Sequence, residues 1–149
     1  MNTEIVRAWM SNDLITVTAD SPLTEAANLM KKYNIRRLPV VQADGQLAGI
    51  VTIGDIHQSA ASDATSLNIW ELHELLAKVQ VKRVMSANPI TVQAGDSVAI
   101  AAKLMLDHKV GGLPVIDPVT NQLQGIITES DIFRLVVKLW GQVQTLVPS

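Results

Sequence analysis

Apolar positions change their spacing in a fixed order along this chain, and the whole order occurs twice. Leu14 to Val17 is a short run rich in β-branched residues. Ser21-Pro22 reads as an N-cap followed by proline at the first helical position, and Leu23, Ala26, Ala27 and Met30 form one apolar stripe at helical spacing. Leu38 to Val41 and Leu47 to Thr52 read as two strands around the turn Ala43-Asp44-Gly45, and a second helix starts near Ile53 and Gly54. In the second copy Asp96 is the expected cap, and Val98, Ala101, Ala102 and Met105 repeat the stripe. The pattern predicts an α/β (α+β) fold of two halves, each strand-helix-strand-strand-helix. Between them Leu67, Trp70, Leu72, Leu75, Leu76 and Val79 predict a connecting helix within Ser66 to Gln80. A half this small cannot bury both faces of its sheet, so the two are expected to pack together about a local pseudo-twofold axis.

The repetition is one of residues as well as of pattern. Met10-Ser11 returns as Met85-Ser86, Ile15-Thr16-Val17 as Ile90-Thr91-Val92, and Leu38-Pro39-Val40 as Leu113-Pro114-Val115. Gly49-Ile50-Val51-Thr52-Ile53-Gly54-Asp55-Ile56 returns as Gly125-Ile126-Ile127-Thr128-Glu129-Ser130-Asp131-Ile132. The offset grows by one residue at the loop Asp117-Pro118-Val119-Thr120-Asn121, a turn where insertion costs least. The boundaries that follow are 10–62 for the first repeat, 63–80 for the connection and 81–142 for the second repeat.

Composition narrows the classes of function. Only 17% of residues are charged, below the roughly 25% of a soluble domain, which raises the expectation of self-association. Fourteen acidic and twelve scattered basic residues make no field that would hold nucleic acid. The absence of cysteine excludes disulfides, thiolate catalysis and cysteine-ligated metal. Met1-Asn2-Thr3-Glu4-Ile5 does not resemble a signal peptide, and no run approaches the roughly 20 apolar residues of a membrane span, so a cytoplasmic location is expected. His57, His73 and His108 form no credible site; His73-Glu74-Leu75-Leu76-Ala77 lacks the second histidine of a zinc-protease helix.

The candidate chemistry lies where the third strand of each copy meets its second helix. Thr52 and Thr128 sit at a junction where unpaired amides and the helix dipole favour an anion. Asp55 and Asp131 follow in the first helical turn, and a carboxylate there offers two acceptor oxygens to the neighbouring hydroxyls of a ribose. Gly49 and Gly125 would allow a ligand close to the backbone. The plainer reading is that threonine and aspartate cap their helices.

The opening Met-Ser-x-x-x-Ile-Thr-Val, the Leu-Pro-Val strand and the closing Gly-h-h-Thr-x-x-Asp (h, apolar), all present twice in register, resemble a tandem pair of cystathionine-β-synthase (CBS) domains, the Bateman module. The resemblance implies an adenosine-containing ligand in clefts between the repeats and a signal passed to a protein target. It implies an apolar adenine slot formed by Ile15, Ile35 and Val40 in one half and by Ile90, Val110 and Val115 in the other, although core packing explains the same residues. It brings in Thr16 and Thr91 from the opening motif, and Arg36-Arg37 as phosphate contacts; the counterpart of that pair is Gly111-Gly112, and a solvated surface pair is the alternative. Ser130 offers a further phosphate hydrogen bond, and Glu129 a repulsion. With no room for a catalytic domain, the expected function is a non-enzymatic sensor of AMP, ADP or ATP, with magnesium accompanying a polyphosphate. S-adenosylmethionine or a ligand-free dimerisation scaffold are the alternatives. The resemblance and the apolar run Ile132 to Trp140 together imply a homodimer built on the helices after Thr52 and Thr128.

Overall fold

The computed structural model describes residues 4–63 and 68–144. Its elements are α1 (Val6–Trp9), β1 (Val17–Thr18), α2 (Leu23–Tyr33), β2 (Arg37–Val41), β3 (Leu47–Thr52), α3 (Ile53–Asp63), α4 (Ile69–Lys78), a 3-10 turn at Val81–Arg83, β4 (Ser86–Ala87), α5 (Val98–His108), β5 (Gly112–Ile116), β6 (Leu123–Thr128) and α6 (Glu129–Gln144). Among the described residues no helix is long and apolar enough to cross a membrane. They form two compact units, one of residues 15–63, 68–89 and 119–123, the other of 4–14, 90–118 and 124–144.

In the first unit a four-stranded sheet runs β1-β2-β3-β4. β1 joins β2 in parallel through Val17 opposite Val40, and β2 and β3 form the expected hairpin, with Arg37 opposite Thr52. Its turn closes with the Gly45 amide on the Gln42 carbonyl at 2.9 Å, and Gly45 takes φ +88°, a conformation that glycine adopts without strain. The alternating burial of β3 puts Leu47, Gly49 and Val51 on its buried side, where Val51 joins Leu23, Ala26 and Met30 from the apolar stripe of α2. Leu76 and Val79, at the end of α4, pack on the same core, while Ile69 and Trp70 at its start are exposed. Ser66 and Leu67 lie outside the described residues.

The second unit repeats the plan with less strand. Val92 faces Val115 of β5 through a single parallel bridge, β5 pairs with β6, and Ser11 bridges Ile126 on the far side of β6. Val6 of α1 is fully buried in this core beside Val98, Ala101, Met105, Leu113 and Ile127. Trp9 packs there too, donating from Nε1 to Glu4 at 2.8 Å with Lys138 Nζ 5.3 Å above its ring.

Three local expectations are corrected. The run Leu14 to Val17 is strand only at Val17–Thr18, because there alone β2 offers a parallel partner. Pro22, extended at φ −70° and ψ 151°, is itself the N-cap of α2, and the Ser21 hydroxyl accepts from the Thr18 amide instead. Ser97 rather than Asp96 caps α5 through the Ala99 amide at 3.1 Å; Asp96 turns back to the Gln93 amide at 2.8 Å.

Both α2 and α5 end in a left-handed residue, Asn34 at φ 53° and Lys109 at φ 56°. Asparagine tolerates this conformation, whereas for most L-residues it costs roughly 1–2 kcal/mol. Lys109→Gly is therefore expected to stabilise the fold by about 1 kcal/mol, read as a higher midpoint in urea; a lower midpoint would show that Lys109 makes a compensating contact.

Candidate functional site

The close of each repeat is a strand that runs directly into a helix, and the side chains at that junction are tied to one another. In the first unit Asp55 Oδ2 accepts from the Thr52 amide at 2.9 Å, and Thr52 Oγ1 accepts from the Asp55 amide at 3.1 Å. This is a reciprocal capping box, with carboxylate and hydroxyl each satisfying one orphan amide. The Ile53 amide is taken by the Arg36 carbonyl at 2.8 Å. The junction is thus less open to an anion than its helix start suggests: among the described residues the Gly54 amide is the one here without a protein acceptor, and Asp55 Oδ1 has no protein donor.

The register of the hairpin brings the candidate cations to the same place. Arg37 lies opposite Thr52, so Arg36 and Arg37 enter β2 beside the residues that end β3. Arg36 is exposed; Arg37 is half-buried and engaged by a neighbour. Thr52 and Asp55 are half-buried at the same edge.

The second unit has the same frame with different occupants. Asp131 Oδ2 accepts from the Thr128 amide at 2.9 Å and from the Thr128 hydroxyl at 3.3 Å, and the Glu129 amide donates to the Gly111 carbonyl at 3.0 Å. Arg134 Nη1 closes on Asp131 Oδ1 at 2.7 Å. Ser130 and Glu129 are exposed, and Asp131 is buried. Arg134 is the participant that sequence reasoning missed, although the spacing Asp131-x-x-Arg134 against Asp55-x-x-Gln58 was there to be read.

Of the apolar candidates, Val40 and Val115 are fully buried in the two cores, with Ile15 and Ile35 packed around the first and Ile90 around the second. Thr16 and Thr91 are half-buried, and Val110 is exposed. No group of three or more histidines or carboxylates among the described residues could hold a metal ion.

The two repeated glycines, Gly49 and Gly125, serve the chain rather than a ligand. A Cβ on Gly49 would stand 2.6 Å from the Ser86 carbonyl oxygen and 2.9 Å from Met85 Sδ; on Gly125 it would meet the Ser11 oxygen and Met10 Sδ at the same two distances. The opening Met-Ser of each sequence copy therefore lies across the closing strand of the other copy, with β4 on β3 and Ser11 on β6.

Comparison with known proteins agrees with the doubled junction. The sequence matches the CBS domain over residues 6–61 and again over 81–138. A CBS domain-containing protein of Dictyostelium discoideum is 37% identical over 135 residues, 91% of this chain and 92% of the other. A homoserine O-acetyltransferase of Methanocorpusculum labreanum is 35% identical over 127 residues, 85% of this chain but only 23% of the enzyme. Among solved structures, a CBS domain pair in complex with 5′-methylthioadenosine and S-adenosyl-L-methionine has a TM-score of 0.76 at 30% identity, covering 89% of this chain and 94% of that one. A Vibrio cholerae protein described as a putative acetoin utilization protein has a TM-score of 0.79 at 27% identity, covering 94% and 96%. The chain belongs to the CBS domain family and carries that domain twice.

Proposed function

We propose that this chain is a non-catalytic regulatory module that binds an adenosine-containing ligand at the strand-to-helix junctions and passes the binding to a protein target. The observation that carries the reading is the first junction. There, among the described residues, Asp55 keeps one carboxylate oxygen clear for a ribose hydroxyl and the Gly54 amide has no protein acceptor, and the β2 register sets Arg36 and Arg37 beside Thr52. Guanidinium forks suit phosphate oxygens, so AMP, ADP or ATP is the preferred ligand class, with magnesium accompanying a polyphosphate. Ile15, Thr16, Ile35 and Val40 in one unit, and Ile90, Thr91, Val110, Gly111 and Val115 in the other, are assigned to adenosine by resemblance. A second reading, S-adenosylmethionine, is favoured by the similar structure solved with that compound and 5′-methylthioadenosine. Calorimetric titration of AMP, ATP and S-adenosylmethionine into ligand-stripped protein separates the two.

The active form is proposed to be a homodimer that buries α3 and α6. Phe133 (64% exposed), Val137 (68%) and Trp140 (67%) recur at helical spacing on α6, opposite the side that Leu135 buries. Burying a phenylalanine contributes roughly 1.5–3 kcal/mol, so Phe133→Glu should raise the dimer dissociation constant at least tenfold. Sedimentation at micromolar concentration checks this: a native monomer defeats the dimer, and a dimer indifferent to Phe133→Glu defeats the interface.

A further inference from the structure

Asp131 differs from Asp55 in a way that breaks the repeat at the candidate site itself. Three residues after the aspartate the first copy has Gln58 and the second has Arg134. Asp131 Oδ2 already takes the amide and hydroxyl of Thr128, and Arg134 Nη1 takes Oδ1 at 2.7 Å, so both oxygens of the carboxylate are engaged. The Asp131 side chain is 10% exposed, whereas that of Arg134 is 68% exposed. The guanidinium thus covers a nearly buried carboxylate from the solvent side. A charge-assisted bond of this length is of the strong kind, and a ribose hydroxyl that reaches Oδ1 has to share that oxygen with the guanidinium or displace it.

We propose that Arg134 is an internal occupant of the second carboxylate, which makes the Thr128–Asp131 junction the weaker of the two and Arg134 the residue that sets the inequality. The inference rests on the reading of both junctions as nucleotide sites. A cation beside a phosphate ordinarily strengthens binding. Here its charge is already neutralised by Asp131, Glu129 adds a negative charge at the same helix start, and Gly111-Gly112 stand where the first unit has Arg36-Arg37. Among the described residues Asp55 takes no guanidinium.

The test is calorimetry with AMP or S-adenosylmethionine, whichever gives the larger heat with the native chain. Asp55→Ala isolates the second junction, and adding Arg134→Gln to it copies the first unit's residue. The double variant is expected to bind on the order of fivefold more tightly than Asp55→Ala alone, the scale of a pair with one exposed partner. The reciprocal Gln58→Arg, at an exposed position, should weaken the tighter native site by a similar factor, and it carries the test if Arg134→Gln does not fold. Unchanged or weaker binding on removing Arg134, or no effect of Gln58→Arg, overturns the inference while leaving nucleotide binding standing. A native chain that binds neither probe overturns both.

Discussion

Asp55→Ala is expected to weaken adenosine-ligand binding at the first junction by roughly ten- to hundredfold, the equivalent of losing a hydrogen bond to a charged acceptor worth about 1.5–3 kcal/mol. The same change strips the Thr52 amide of its acceptor at 2.9 Å, so a stability loss of about 1 kcal/mol should accompany it. Asp55→Asn separates the two effects. An asparagine oxygen still caps the Thr52 amide but carries no charge, so stability should be largely kept while affinity still falls. Titration and urea unfolding of both variants make the comparison. Binding lost only in step with stability would return Asp55 to a purely capping role.

Gly49→Ala is expected to destabilise the fold by roughly 1–3 kcal/mol, the usual cost of forcing an extra methyl into a packed site. The added Cβ would stand 2.6 Å from the Ser86 carbonyl oxygen, a backbone atom that cannot withdraw without parting β4 from β3. Gly125→Ala should behave alike, because Ser11 stands in the same relation to β6. At about 2–4 °C per kcal/mol for a chain of this size, the melting temperature should drop by several degrees. Gly95→Ala is the control, since its Cβ would meet nothing within 4 Å. A Gly49→Ala melting temperature equal to that of Gly95→Ala would mean that the Met-Ser segment does not lie where it is described.

The repeated pattern was legible because burial reads period and punctuation: the α2 and α5 stripes and the β2–β3 hairpin are where the spacing of Leu23, Ala26 and Met30 and the apolar runs Leu38 to Val41 and Leu47 to Thr52 around their turn put them. What stayed hidden depends on partners far away in the sequence. Met10-Ser11 and Met85-Ser86 are short segments without periodicity, and nothing local says that each crosses the closing strand of the other copy. For the same reason Gly49 and Gly125 read as room for a ligand, when the room is taken by the chain. The Thr-x-x-Asp spacing identified the right residues but left capping and binding open, and the structure has both Oδ2 atoms in the cap. The state of Oδ1, clear at Asp55 and covered at Asp131, turned on Gln58 against Arg134, a difference visible in the sequence only once the geometry gave it meaning.

The homoserine O-acetyltransferase relative is matched over 23% of its length, so its chemistry says nothing of this chain's own activity. The central claim concerns ligand binding at the two junctions, and calorimetry on ligand-stripped protein tests it most directly. The account predicts a saturable heat with AMP or ATP, larger than with S-adenosylmethionine and strongly reduced in Asp55→Ala. No heat with any of the three at millimolar ligand would contradict it, and would leave the exposed face of α6 and the reading of a ligand-free dimerisation scaffold in its place.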